Sequence, residues 1–219
     1  VPPRRSPVSR RDRPAKPPLS RDGVVAVALR ILRAEGLDKV TMRRLAAELD
    51  TGPSSLYVYL RNMAEVHGAV LDALLADLPM PSGSDDPKAD LVDLLSAYTA
   101  LLYEHPSLAR SVLALWPSGP NYLRLIDTTL GLLVALGVPP RPAAWGVDAL
   151  LQYATSTAAE QGTRDENDSD WDGLTEAIAR ASNPFIARHR DELFSGTPDE
   201  KLRWTFTALI NGIAGTETP

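Results

Sequence analysis

The chain has 219 residues, 23 Lys+Arg against 28 Asp+Glu, a formal net charge of −5 and no cysteine. That length suits one large or two small domains with a sizeable core, and the missing thiol excludes disulfides, Cys-ligated zinc and thiol catalysis. The total charge argues against nucleic acid, but its distribution does not. Residues 1–62 hold 13 Lys/Arg and 6 Asp/Glu, a net of +7, whereas residues 63–219 hold 10 and 22, a net of −12. A basic head that meets a polyanion and an acidic body with another task are expected. The least interrupted apolar run, 130–138, is far shorter than the ~20 residues of a membrane span, and no apolar signal segment opens the chain. A cytoplasmic protein with no membrane partner is the expectation.

Residues 1–18 carry six prolines, six Lys/Arg and one acid. Proline removes backbone donors and like charges repel, so this segment reads as a disordered basic arm. It is either a tether to DNA phosphates or a minor-groove finger, or a solvated tail without a partner. Ser20 then caps a first helix with Val24, Val27, Ala28, Ile31 and Leu32 on one face, stopped by Gly36. Thr41 caps a second with Met42, Leu45, Ala46 and Leu49 on one face. Gly52 and Pro53 open a third through about Leu60, and Asn62 with Glu65 resembles a capping box for a fourth. Segment 79–87 (PMPSGSDDP) is a loop of breaker residues and a natural boundary. Beyond it the pattern predicts helices near 88–104, 107–115, 121–136 and 142–160, an acidic loop over 162–170, then helices near 171–181, 184–194 and 198–214. Thr197, Pro198 and Glu200 form a strong start signal for the last. No stretch alternates with period two. The fold class is all-α, with a three-helix headpiece at 19–62 after the arm, a connecting helix at 63–78 and a helical body at 88–219.

Segment 41–60 (TMRRLAAELDTGPSSLYVYL) has the spacing of a helix-turn-helix, whose second helix enters the major groove while the first crosses the backbone. Leu45, Ala46, Leu49, Leu56 and Leu60 form its buried seam. That leaves Pro53, Ser54, Ser55 and Tyr57 exposed on a helix able to approach bases closely, with Thr41, Arg43 and Arg44 beginning the helix before it. The bland alternative is an ordinary helical hairpin with solvated arginines; the net +7, the arm and the exposed Ser-Ser-x-Tyr surface favour DNA.

These residues also carry a resemblance. Segment 20–78 resembles the DNA-binding domain of the tetracycline-repressor (TetR) family of bacterial regulators, through Leu37, 41–49 (TMRRLAAEL) and 55–62 (SLYVYLRN). In the body, 105–109 (HPSLA) and 119–125 (GPNYLRL) look like the C-terminal domain of tetracycline-repressor-like proteins. The resemblance implies base reading by Arg43 and Pro53, Ser54 and Ser55, and phosphate contacts by Thr41, Arg44, Tyr57 and Tyr59. The family usually has glycine where this chain has Asp50, a residue that tolerates the left-handed conformation. It usually has lysine where this chain has Met63, which leaves Arg61 or the arm to supply that phosphate contact.

The resemblance further implies a homodimer joined by a four-helix bundle, with 142–160 and 198–214 the best candidates. Leu150, Leu202 and the stripe Phe206, Leu209, Ile210 and Ile213 are the expected seam, although such a stripe can also close the chain's own core. Tyr98, Tyr103, Trp116, Tyr122, Gln152 and Tyr153, with His105 and Trp145 beside them, offer apolar walls and a few polar tips for a small-molecule effector; they also fit a core with satisfied tyrosines. His67, His105 and His189 lack metal-ligand spacing, and no metal or cofactor is expected. The reading is a dimeric ligand-responsive transcriptional regulator, a repressor. It places helix 53–60 in a near-palindromic double-stranded DNA operator and is released by a small apolar or aromatic effector. The alternatives are a helix-turn-helix regulator whose body binds a protein, or an all-α enzyme, for which no nucleophile–base arrangement is present.

Overall fold

The computed structural model describes residues 18–166 and 171–217. The expected arm, apart from Pro18, lies outside the described residues. Among those residues there are twelve α-helices and no strand. The head comprises α1 (Arg21–Glu35), α2 (Met42–Glu48) and α3 (Pro53–Leu56), with a 3₁₀ turn at Leu37–Lys39 between the first two. Ser20 Oγ accepts the Gly23 N–H at 3.1 Å, which satisfies one of the donors a helix start leaves free. Gly36, at φ 87°, ends α1 in a conformation that suits a residue without Cβ. Val24, Val25, Ala28, Ile31 and Leu32 of α1 are buried together with Leu45, Leu56 and Leu60.

The third helix is shorter than its pattern predicts. It ends at Leu56, and Tyr57, Val58 and Tyr59 form a turn. The Leu60 N–H still reaches the Leu56 carbonyl at 3.0 Å, so both leucines face the core. Two aromatic residues around a β-branched valine are indifferent helix formers, and the buried leucines at either end hold the path.

The connecting helix α4 (Met63–Leu74) continues as a 3₁₀ turn, Leu75–Asp77. It packs on α1 on one side and on α6 (Pro106–Val112) and α7 (Pro120–Ala135) on the other. This double contact buries Val66, Ala69, Val70, Leu71, Asp72, Leu74, Leu75 and Leu78. The body centres on α5 (Pro87–Tyr103), α8 (Pro140–Glu166) and α12 (Pro198–Gly215). Thr197 and Glu200 exchange both bonds of a capping box at the start of α12.

Two expected boundaries are corrected. The acidic loop at 162–170 does not begin at Gly162: α8 runs on to Glu166, and only 167–170 lie outside the described residues. Gly162 serves packing here, since a Cβ on it would lie 2.0 Å from Pro106 Cβ of α6. The helix expected over 184–194 is broken at His189 into α10 (Pro184–Arg188) and α11 (Arg190–Leu193). With α9 (Trp171–Arg180), these helices bury no residue and leave Trp171, Leu174, Phe185 and Leu193 exposed.

Candidate DNA-reading head and effector cavity

The start of α2 is fixed by Thr41, whose Oγ1 accepts the Arg44 N–H at 3.1 Å. Asp50 closes the turn at φ 47°, the one positive-φ residue other than glycine among the described residues. Its short polar side chain makes this left-handed conformation tolerable. Pro53, Ser54 and Ser55 stand exposed at the start of α3, Tyr57 is half exposed beyond its end, and Tyr59 is partly buried against the head's core. Val58, at 81% exposure, shares this surface; alternation of apolar positions gave no sign of it.

The arginines divide by their partners. Arg43 is exposed and has no ion-pair partner among the described residues. Arg44 is shared between Glu35 at 2.9 Å and Glu48 at 3.0 Å. Arg30 also binds Glu48, and its hydrogen bond, reinforced by both guanidinium charges, holds that carboxyl below its usual range. Arg61 gives its backbone N–H to Glu65 Oε2 at 2.7 Å and its guanidinium to Oε1. The expected capping box is therefore displaced by one residue: Asn62 Oδ1 accepts the Glu65 N–H, but Glu65 returns to Arg61. Met63 is half-buried against the core.

In the body, a half-open cavity of about 500 Å³ lies between the end of α6, α7 and α8. Of the expected effector residues it brings together Trp116, Tyr122 and Gln152. The other three lie elsewhere. Tyr98 is fully buried behind the wall, its hydroxyl 3.0 Å from Thr155 Oγ1, and burial raises its pKa. Tyr103 borders a separate depression with Ser96 and Leu202. Tyr153 sits on another face of α8, edge-on to Phe206 with ring centroids 5.5 Å apart. Trp145 points outward and His105 is the N-cap residue of α6. Pattern alone could not separate these aromatics, because cavity and core draw on the same residue types.

The residues expected at the dimer seam divide between the chain's own core and its surface. Leu150, Leu202, Phe206 and Ile210 are buried in the chain's own core, where α12 packs on α5 and α8. Leu209 and Ile213 are only partly buried. Gly146 of α8 allows Ile213 to approach closely, since a Cβ there would lie 2.9 Å from Ile213 Cγ2. Among the apolar residues of these two helices that remain outside are Trp145 and Trp204, at 56% and 72% exposure, with Ala149 and Ala208.

A junction that sequence reasoning missed joins the cavity to α4. The buried Asp72 carboxylate accepts the Tyr122 N–H at 2.9 Å and Asn121 Nδ2 at 3.2 Å, so α4 caps the start of α7. Arg124 of α7 returns the contact, donating to the Leu75 and Ala76 carbonyls at 2.9 and 3.3 Å. Each helix thus satisfies the free groups at one end of the other. Gly119 permits the approach, because a Cβ on it would lie 2.1 Å from Asp72 Cγ. A second link, His67 Nδ1 to Ser111 Oγ at 2.6 Å, ties α4 to α6. The signal for the junction was the 119–125 motif itself, whose partner in α4 lies some fifty positions earlier.

A helix-turn-helix with an exposed surface, set on an all-α body that holds a half-open cavity, defines a DNA-binding regulator with its sensor in the same chain. Residues 24–70 match bacterial regulatory proteins of the tetR family, and residues 79–214 match the tetracyclin repressor-like C-terminal domain. The chain belongs to the TetR family; it is a ligand-responsive, DNA-binding transcriptional regulator of a class that acts as dimers. It is 30% identical to the HTH-type transcriptional repressor DrrR1 of Streptomyces coeruleorubidus, over 82% of this chain and 67% of that one. It is 26% identical to the class G tetracycline repressor of Vibrio anguillarum, over 89% and 93%. Among solved structures, the transcription regulator SCO7704 from Streptomyces coelicor matches with a TM-score of 0.80 and 50% identity, covering 93% of this chain and 98% of that one. ActR of Streptomyces coelicolor in complex with actinorhodin matches at 0.78 and 30%, covering 91% and 100%. The relatives are regulators rather than enzymes, and among the described residues no helix is long and apolar enough to cross a membrane.

Proposed function

We propose that the chain is a cytoplasmic repressor without catalytic activity, in which 19–62 binds the operator, 63–78 transmits the signal and 88–219 senses the effector and dimerises. Arg43 with Pro53, Ser54 and Ser55 reads bases in the major groove. Thr41, Tyr57 and Tyr59 hold phosphates, with Arg44 and Arg61 joining them once their carboxylate partners are exchanged for phosphate. Val58 adds an apolar contact of the kind a thymine methyl accepts. The partner subunit meets the outward faces of α8 and α12 through Trp145, Trp204, Leu209 and Ile213.

The observation that carries the mechanism is the Asp72 junction. Tyr122 lines the cavity with its side chain and is held by α4 through its backbone N–H. An effector that displaces the start of α7 therefore moves α4, and with it the head. In a dimer the separation of the two heads sets half-site spacing, and an effector shifts that separation only as far as it prefers one arrangement over the other. Anisotropy titrations on genomic fragments flanking the gene, at about 50 and 200 mM salt, test the DNA reading. Tight binding to one fragment that weakens steeply with salt is expected; no affinity, or affinity indifferent to salt, refutes it.

A further inference from the structure

The chemistry of the cavity wall narrows the class of effector, an inference that rests on the cavity being the effector site. Helix α8 presents Ala144, Val147, Asp148, Leu151, Gln152 and Thr155 to it, the spacing of one helix face. Among the described residues no Lys, Arg or His lines the cavity, and the exposed Asp148 is the one charged residue of its wall. Asp148 has no ion-pair partner among the described residues. Of the remaining polar tips, Trp116, Tyr122 and Gln152 can donate to a ligand of either charge, and Thr155 leans towards a donor. Thr155 spends its one O–H on the Leu151 carbonyl at 2.8 Å, so Tyr98 donates to Thr155 Oγ1 and Thr155 offers a ligand only lone pairs. Tyr122 stands near enough to Asp148 for that carboxylate, after burial, to raise its phenol pKa. The phenol stays neutral, both donor and acceptor. An anionic ligand would enter facing a carboxylate, with neutral donors but no cation to offset its desolvation.

We infer that the effector is an aromatic cation bearing N–H donors, held between Trp116 and Tyr122, and that Asp148 is the residue that selects its charge. A ligand of drug size fits a volume of this order, and the acidic body around the cavity favours approach of a cation.

Two dyes sharing one phenyl-xanthene scaffold test this on the full-length protein without DNA: rhodamine 123, cationic with N–H donors, and fluorescein, anionic at neutral pH. Dye anisotropy gives both affinities. Rhodamine 123 should bind at least about tenfold more tightly than fluorescein. Asp148→Asn should remove about tenfold of its affinity without weakening fluorescein, while Asp127→Asn, an exposed acid of α7 outside the cavity wall, should change neither. Ala144→Trp, which fills the cavity from its rim, should abolish binding. Equal binding of the two dyes, or a preference that survives Asp148→Asn, overturns the charge assignment and leaves the cavity as effector site. Binding of neither dye, or binding that survives Ala144→Trp, overturns the cavity reading and this inference with it.

Discussion

In the head, the residues we propose to face DNA come from a single run, 41–61, and stand on a small filled core in which Leu45 and Leu56 are wholly buried. In the body, the cavity takes its lining from the end of α6 and the segment after it, from α7 and from α8, so its walls join residues as far apart as Val112 and Thr155. A surface built from one run carries its own spacing, and its function is legible as a motif. A concavity exists only after several helices have docked. The head also presents free polar groups outward, while the body invests its polar groups in holding helices together, as at Asp72.

The contrast can be broken by making one chemical change in each region. Leu56→Ala and Leu95→Ala each remove a wholly buried leucine side chain and should cost ~2–5 kcal/mol in urea unfolding. Only Leu56 lies directly beneath the reading surface, so its replacement should also cost DNA affinity in the fraction that remains folded. Equal losses of DNA affinity would show that head and body do not work as separate parts. Asp72→Ala, at the seam between them, should cost about 1–3 kcal/mol by leaving the Tyr122 N–H without its acceptor, while Asn121 keeps the backbone carbonyl of residue 72. It should also change operator affinity with no residue of the reading surface altered, measured by anisotropy; unchanged affinity would remove the junction from the signalling route.

Within the head, Arg43→Ala should cost about 1–3 kcal/mol in operator binding and relax sequence preference at one position. Arg44→Ala should weaken all sequences alike and lower the salt slope by about one. Its effect should be the smaller, because Arg44 must first leave Glu35 and Glu48. Identical behaviour of the two variants would undo the division between base and phosphate contacts. Thr197→Ala, which removes one half of the α12 capping box, should cost about 1 kcal/mol in thermal unfolding and leave DNA affinity intact.

The smallest effect concerns pH. Burial holds His67 and His105 below the ordinary histidine value of 6.5. Their folded-state pKa values therefore lie below the unfolded ones, and the unfolded chain takes up protons first. Stability is fully present above the unfolded pKa and declines as pH falls from there through the folded values. A melting temperature that drops between pH 7.5 and 5, and drops less in His67→Gln, is the expected result.

Local rules determined a good deal by themselves. Ser20, Thr41, Asn62 and Thr197 mark helix starts because a side-chain oxygen and a free N–H three residues on need nothing else from the fold. The same holds for Gly36, and for Asp50 in the left-handed turn. The charge division between residues 1–62 and 63–219, and the helix-turn-helix spacing, are equally properties of the chain. What only the tertiary structure decided is which apolar face meets what. Phe206 and Ile210 carry a stripe that serves a partner or the chain's own core equally well, and docking of α12 on α5 and α8 assigned them to the core. Trp116 and Tyr122 reached the cavity while Tyr98, Tyr103 and Tyr153 did not, because burial is set by neighbours distant in sequence. Asp72 reads as one more helix acid until α7 arrives to be capped by it. The hydrophobic effect names no partner, and geometry supplies it.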